Sequence, residues 1–155
     1  MRAREEVRSP PKSTPWVNRA MSRLLRSPLS RLVDRGIVLL TVYGRNTGHP
    51  YTFPVQYVQQ GEVLWVYVGH GEQKTWWRNL TDDGPVEVLL RKRLRTGRGL
   101  ALAHDAAPEA VEEGLRRYAD RFPGAARRLR IPTVDDETIA RAAARTVIVR
   151  ITLEE

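Results

Sequence analysis

Hydrophobic residues gather in six short segments of strand length, separated by polar and glycine-containing stretches. The clearest is Val63–Val68, which reads V-L-W-V-Y-V. Such runs of β-branched and aromatic residues, bounded by glycine and polar turns, predict strands. Gln60 and Gly61 predict a hairpin turn, because a positive φ angle costs little at glycine. The predicted strands cover residues 37–43, 51–59, 63–68, 85–91, 94–103 and 146–153, with a second hairpin turn near Lys92 and Arg93.

Apolar residues recur at helical spacing before, between and after these strands. Over residues 17–35 they predict helical structure, which Pro28 divides into two short helices. Further helices are predicted over 73–80 and 135–144, and Asp105 and Pro108 are typical of a helix start. The apolar stripe of the helix that follows Pro108 holds Val111, Leu115, Tyr118 and Phe122.

The order of these elements predicts a fold that is mainly β (α+β). About six antiparallel strands form a small barrel, and an N-terminal helix and C-terminal helices pack outside it. Residues 1–18 are rich in Arg, Pro, Ser and Lys and have no apolar period, so we expect a disordered basic arm. Residues 19–155 then form a single domain, a length sufficient for one hydrophobic core.

Composition adds a strong positive charge to this picture. The 155 residues carry 26 Lys and Arg against 18 Asp and Glu, a formal net charge of +8. Such a balance favours an anionic partner: nucleic acid, a membrane surface or a phosphorylated small molecule. Cysteine is absent, which excludes disulfides and thiolate metal sites and favours a cytoplasmic location. The three histidines lack the spacing of metal ligands, and no apolar run is long enough to cross a bilayer.

Two glycine-punctuated segments are candidates for binding chemistry. Residues 44–48, G-R-N-T-G, join the first two predicted strands, and Arg45 offers a planar fork of donors for phosphate or carboxylate. Residues 69–80 place a Gly-His-Gly bend before a helix whose first amides suit an anion. Trp76 and Trp77 point to different sides of that helix, so one can line a groove while the other packs inward. The plain alternatives are a polar turn and two core tryptophans.

Residues 91–98 hold five cations in eight positions. We expect a solvated hairpin tip that protects a sheet edge. The alternatives are a receptor for an acidic ligand tail, a phosphate backbone or anionic lipid. The leucines of the basic N-terminal region either pack on the barrel or lie on a membrane surface, which would give peripheral contact with the inner face of the cell membrane.

The order of these segments resembles one family, the deazaflavin-dependent nitroreductases and quinone reductases. The resemblance lies in T-V-Y-G-R-N-T-G-H-P-Y-T-F-P-V-Q-Y-V (41–58), the W-V-Y-V-G end of the third strand, and K-T-W-W-R-N-L (74–80). Its specific part is the pairing of G-R-x-[ST]-G with W-x-x-N-L. It implies a split β-barrel that binds coenzyme F-420, an 8-hydroxy-5-deazaflavin with a phosphodiester and an oligoglutamate tail. The implied reaction is hydride transfer to a small acceptor such as a quinone or nitro compound.

The resemblance also implies a set of binding residues. Arg45, Asn46 and Thr47 would meet the phosphate and the tail, and Pro54 would lie against the ring. The full implied set is Arg45, Asn46, Thr47, Tyr51, Thr52, Phe53, Pro54, Val55, Gln56, Tyr67, Val68, Gly69, His70, Lys74, Thr75, Trp76, Trp77 and Asn79. No catalytic side chain and no metal is implied, because the cofactor carries the chemistry.

Two departures from the family pattern bear on this expectation. Asn46 stands where the family usually has lysine, and Lys74 or the 91–98 run is a candidate for the missing cation. Tyrosines that some relatives place near the substrate have no clear counterpart around residues 122–129.

Several alternatives remain open at this stage. A related split barrel that uses FMN or haem has the same architecture, so the fold alone does not decide between cofactors. A non-catalytic cofactor carrier is also compatible with the sequence, as are a monomer and a homodimer. A nucleic-acid-binding barrel is disfavoured, because the cationic hairpin lacks interleaved aromatic residues.

Overall fold

The structure, a computed structural model, describes residues 36–68 and 74–155. The strands are β1 (Ile37–Tyr43), β2 (Pro50–Gln60), β3 (Val63–Val68), β4 (Gly84–Leu90), β5 (Arg93–Ala103) and β6 (Val147–Leu153). A 3-10 helix (Trp76–Leu80) precedes β4, and helices α1 (Pro108–Arg121), α2 (Pro123–Arg128) and α3 (Asp136–Ala143) lie between β5 and β6. The arm predicted over 1–18 and the helices predicted over 17–35 lie outside the described residues.

The six strands form a closed antiparallel barrel in the order β1-β2-β3-β6-β5-β4, which confirms the predicted six-stranded barrel. Alternate residues of each strand point inward, so their side chains meet in one continuous core. Burial of one such Val or Leu contributes roughly 1.5–3 kcal/mol. The interior cluster consists of Val38, Leu40, Val42, Leu64, Val66, Val68, Leu80, Val86, Val88, Leu90, Val149, Ile151 and Leu153.

A second hydrophobic cluster lies outside the barrel, between the sheet and the helices. Val111 and Leu115 on α1 pack with Trp65 and Ile148, which project from β3 and β6. Gly114 permits this close approach, because a Cβ there would lie 2.8 Å from the Trp65 ring. The predicted apolar stripe therefore forms the barrel-facing side of α1, and the same packing brings Tyr118 beside β2.

The predicted helix over 73–80 is instead a single short 3-10 helix over Trp76–Leu80. Leu80, only 1% exposed, belongs to the interior cluster, and both tryptophans pack against that cluster. Gly99 on β5 leaves room for the Leu80 side chain, since a Cβ on residue 99 would lie 3.0 Å from Leu80 Cδ1. The segment therefore closes one end of the barrel. Compact 3-10 geometry is common in such short connecting pieces.

The basic hairpin turns one residue earlier than predicted. Its two turn residues are Arg91 and Lys92, with φ angles of 48° and 66°. Positive φ at both turn residues is the type I′ geometry, which Asn-Gly adopts more easily than these side chains. A further difference is α2, which the sequence pattern did not predict, since it opens with Pro-Gly and has no apolar period.

Candidate functional site

The barrel opens locally at the point on β2 where pairing with β1 ends and pairing with β3 begins. Residues 50–56 of β2 pair with β1, whereas residues 57–60 pair with β3. The pairing of β2 with β3 ends at Tyr57 and Val66, so the two strands diverge beyond that point. A fork results, and in the described part of the chain one edge of residues 50–56 has no strand beside it.

Two clefts lie along this stretch of β2. The loop cleft has a volume of about 570 Å³ and is lined by Gly44, Arg45, Asn46, Thr47, Tyr51, Phe53, Thr75, Trp76, Arg78 and Asn79. The fork cleft has a volume of about 300 Å³ and is lined by Pro54, Val55, Gln56, Tyr67, Val68, Lys74, Trp76, Tyr118, Ala125, Arg128 and Leu129. Trp76 lines both clefts, so its side chain forms the wall between them.

The loop between β1 and β2 is held in a tight turn by its own backbone. The Gly44 amide donates to the His49 carbonyl at 2.8 Å, and the Gly48 amide donates to the Gly44 carbonyl at 2.7 Å. Gly48 has a φ of +71°, which favours glycine, and a Cβ on Gly44 would lie 2.8 Å from Thr47 Oγ1. The backbone angle thus favours glycine at position 48, and the packing of Thr47 favours glycine at position 44, in the loop that presents Arg45 at the cleft.

Asn79 connects this loop to the 3-10 helix. Its Oδ1 accepts a hydrogen bond from the Arg45 amide at 3.1 Å, and its Nδ2 donates to the Trp76 carbonyl at 3.0 Å. One carboxamide therefore fixes the position of the loop relative to Trp76. This contact explains why G-R-x-[ST]-G and W-x-x-N-L occur together, since the second motif supplies the residue that holds the first.

The two adjacent tryptophans have different environments, as the helical reading of the sequence anticipated. The Trp76 ring packs against Phe53 with a centroid separation of 4.8 Å and faces both clefts. Trp77 lines neither cleft; it packs against the barrel interior, and the Arg78 guanidinium lies 5.6 Å from its ring centroid. Trp76 is therefore the tryptophan available to a planar ligand.

The clefts are positively charged. Arg45 and Arg78 line the loop cleft, and Lys74 and Arg128 line the fork cleft. None of the described residues that line either cleft is Asp or Glu. Cations converging on a concave surface without opposing carboxylates attract an anionic ligand. Asn46 stands where the family usually has lysine, and Arg78 supplies another cation in the same cleft. Of the two candidates named for the missing cation, Lys74 lines the fork cleft, whereas residues 91–98 line neither cleft.

A stacked tyrosine pair forms one wall of the fork cleft. The Tyr67 and Tyr118 rings lie 4.7 Å apart at an interplanar angle of 19°, and the Tyr118 hydroxyl donates to Gln56 Oε1 at 2.9 Å. Burial raises the pKa of Tyr118, and the neighbouring Tyr67 adds to that rise. Burial also raises the pKa of Tyr67, against the opposing effect of Arg145. Both hydroxyls are therefore protonated at neutral pH.

Most of the sequence-predicted site residues line one of the clefts, and a few do not. Thr52 lies on β2 with its hydroxyl 2.7 Å from that of Thr41, and it lines neither cleft. Gly69 and His70 lie outside the described residues. Sequence reasoning missed six lining residues: Gly44, Arg78, Tyr118, Ala125, Arg128 and Leu129. Of these, Gly44 and Arg78 had a signal, their places inside the G-R-N-T-G and W-W-R-N-L motifs.

Two further findings concern the described residues, 36–68 and 74–155. No group of His, Asp and Glu side chains in these ranges could hold a metal ion. None of the helices there is both long and apolar enough to cross a membrane.

These features define a class of protein: a small closed β-barrel with a basic cleft beside a forked strand pair. Structure comparison finds solved proteins with a similar fold. A structure described as an F420-H2 Dependent Reductase matches with a TM-score of 0.54 and 18% identity, covering 77% of this chain and 95% of that chain. One described as a domain-swapped dimer also matches with a TM-score of 0.54 and 18% identity, covering 90% and 97%.

A conserved hypothetical protein from Mycobacterium tuberculosis matches with a TM-score of 0.50 and 16% identity, covering 83% of this chain and 82% of that chain. A search of curated proteins found no match. The family model for F420H(2)-dependent quinone reductase matches residues 17–134. The chain therefore belongs to the F420H(2)-dependent quinone reductase family, which confirms the family resemblance.

Proposed function

We propose that this protein transfers a hydride from reduced coenzyme F-420 to a small quinone-type acceptor. The observation that carries the proposal is the pair of cation-lined clefts that meet at Trp76 and have no carboxylate among their described lining residues. The cofactor is a polyanion, and family membership gives the reaction class. A nitro compound is the other acceptor that the family resemblance suggests.

The residues of the loop cleft fit the anionic part of this cofactor. Arg45 and Arg78 both line the loop cleft, and the backbone turn fixes the position of Arg45. Guanidinium groups suit phosphate and carboxylate because they donate hydrogen bonds in a planar fork. We assign these two arginines to the phosphodiester and the first glutamates of the tail.

Aromatic and apolar residues at the junction of the clefts fit the planar ring. Trp76 stands between the clefts against Phe53, and Pro54 is exposed on the adjacent stretch of β2. Aromatic faces stack on planar rings and exclude water from them. The smaller fork cleft then remains for the acceptor, beside the ring position.

When bound, the reduced cofactor supplies the hydride. The protein supplies orientation and a dry, positively charged surface, and these effects lower the barrier by holding two reactants together. No side chain is required as a general acid or base, because water can provide the proton that the reduced acceptor takes up. We therefore name no catalytic residue in the loop cleft.

The direct test is a fluorescence titration of the purified protein with coenzyme F-420 and, in parallel, with FMN. We expect saturable binding of the deazaflavin, and oxidation of the reduced form on addition of 1,4-benzoquinone. Tight FMN binding without deazaflavin binding would refute the proposal and favour a flavin-binding barrel. Saturable deazaflavin binding without oxidation by quinone or nitro acceptors would indicate a carrier.

A variant pair tests the site itself. Arg45→Ala should weaken cofactor binding by about 1.5–3 kcal/mol, the range for a hydrogen bond to a charged group, which is roughly ten- to hundredfold in Kd. Stability should change little, since Arg45 is exposed and Asn79 holds only its backbone amide. Arg141→Ala is the matched control, because it removes the same charge from α3, away from both clefts. Equal affinities of the two variants would exclude Arg45 from the binding site.

A further inference from the structure

Gln56 occupies a defined position at the fork cleft. It lies on β2 at the last residue pair that β2 forms with β1, immediately before β2 begins to pair with β3. Its side chain is half-buried and lines the cleft with Tyr67 and Tyr118. The Tyr118 ring comes from α1 and is only 4% exposed. Three elements of the fold therefore converge on this one carboxamide.

The hydrogen bond from Tyr118 fixes which way the carboxamide faces. A glutamine side chain has one accepting oxygen and one nitrogen with two donor hydrogens. The Tyr118 hydroxyl donates to Oε1 at 2.9 Å. If the amide were reversed, the buried hydroxyl hydrogen would lose this acceptor, and leaving a buried donor unpaired is costly. Tyr67 stacks on the ring of Tyr118 and limits its movement.

Within the part of the chain that the structure describes, the nitrogen of Gln56 is consequently left as a free donor. Among the described residues, none accepts a hydrogen bond from Gln56 Nε2, although the residue lines the cleft. The same cleft contains Lys74 and Arg128 but no carboxylate among its described residues, so no negative side chain competes for that donor. A fixed amide donor in a cleft of about 300 Å³ suits a small ligand with a carbonyl oxygen.

We propose that Gln56, oriented by the Tyr118 hydroxyl, donates a hydrogen bond from Nε2 to the carbonyl oxygen of a quinone acceptor bound in the fork cleft. This inference rests on the proposed function. In the reaction the quinone gains the hydride and becomes the hydroquinone monoanion, the cofactor is oxidised, and water supplies the one proton that completes the hydroquinone. A donor fixed in advance at the carbonyl oxygen stabilises the negative charge that develops there. Gln56 thus touches the substrate, and Tyr118 is a positioning residue.

Four variants test this assignment by steady-state kinetics with 1,4-naphthoquinone. Gln56→Leu should lower kcat/KM about ten- to hundredfold, as expected when a donor to a developing charge is lost. Tyr118→Phe retains the ring and should lower kcat/KM about two- to tenfold. In the Gln56→Leu background, Tyr118→Phe should add no further loss, because the two residues act through one hydrogen bond. Gln60→Leu, on the same strand but outside both clefts, is the control and should leave kcat/KM unchanged.

A binding measurement separates this role from a structural one. Difference infrared spectra of carbonyl-13C-labelled naphthoquinone, added to protein loaded with oxidised cofactor, should show the carbonyl stretch at lower wavenumber in the wild type than in Gln56→Leu. The cofactor Kd, measured by fluorescence, should be the same in both proteins. An unshifted carbonyl band, or additive losses in the double variant, would overturn the assignment while leaving the proposed function intact.

Two further results are decisive. If Gln56→Leu weakens cofactor binding as strongly as it lowers kcat/KM, the amide serves the cofactor rather than the acceptor, and the inference is wrong. If the wild-type protein does not bind the deazaflavin at all, the proposed function fails and the inference fails with it. The fluorescence titration therefore distinguishes the two failures.

Discussion

The contact between Asn79 and the loop allows a quantitative prediction. Asn79→Ala removes the hydrogen bond to the Arg45 amide and the one to the Trp76 carbonyl. A net contribution of about 0.5–1.5 kcal/mol for each bond, toward the lower end for the exposed one, gives a destabilisation of about 1–2 kcal/mol. For a chain of this size, that corresponds to a fall of roughly 2–8 °C in Tm.

The same variant should also weaken ligand binding, because the loop that presents Arg45 is no longer fixed relative to Trp76. The assays are thermal unfolding followed by circular dichroism, and the fluorescence titration with coenzyme F-420. Asn79→Asp keeps the accepting oxygen and should retain more of the loop contact than Asn79→Ala. Thr81→Ala is a matched control, since the exposed Thr81 hydroxyl bonds to the Arg78 carbonyl at the end of the same 3-10 helix. Wild-type Tm and affinity in Asn79→Ala would refute the reasoning.

Three other predictions concern stability. Arg91→Asn combined with Lys92→Gly should raise the free energy of unfolding by about 1 kcal/mol, because both positions have positive φ angles; a lower urea midpoint would contradict this. Tyr43→Phe should cost about 1–3 kcal/mol, since the buried Glu87 carboxylate accepts its hydroxyl at 2.9 Å; an unchanged urea midpoint would count against it. Hydrogen bonds from the Thr133 and Thr138 side chains and the Thr138 amide lower the pKa of Asp135 from 3.8 to about 2. Asp135 caps the N-terminus of α3 through these bonds. The stability that the ionised cap contributes is full above pH 3.8 and is lost as the pH falls through about 2, so Tm should fall more steeply over that range in the wild type than in Asp135→Asn. Parallel Tm profiles of the two proteins would show that the cap does not contribute to stability.

The strands could be predicted from the sequence because the residue pattern within each segment, and the turn residues at its ends, already indicate a strand. Val63–Val68 alternates between the barrel interior and the outer cluster, and glycine or polar pairs mark its ends. The helical stripe of α1 was predicted for the same reason, since its apolar spacing follows the surface that it covers. The 3-10 helix was predicted as a short helix that begins three residues earlier, because local spacing does not show that Leu80 must enter the barrel end beside Gly99.

The candidate site was only partly predictable. The loop residues were identified through a motif, which is a local signal. Tyr118 was read as one more apolar position on α1, and only tertiary packing shows that its hydroxyl reaches Gln56 on β2. Arg128 lies on a short helix with no apolar period, and the family resemblance marked the segment around 122–129 only by the tyrosines that it lacks, so Arg128 itself was not predicted as a cleft residue.

The fork between β2 and β3 has a consequence for how the chain meets other chains. The edge of residues 50–56 that lacks a neighbouring strand among the described residues offers backbone groups for strand addition by a second polypeptide. Pro54 lies in the middle of this edge and has no amide hydrogen, so it interrupts any such ladder. A longer β3 that paired with this edge would prevent strand addition by a second polypeptide and would raise the stability of the barrel. It would also fill the fork cleft. The unpaired edge of β2 is therefore the structural condition for a ligand cleft at this position.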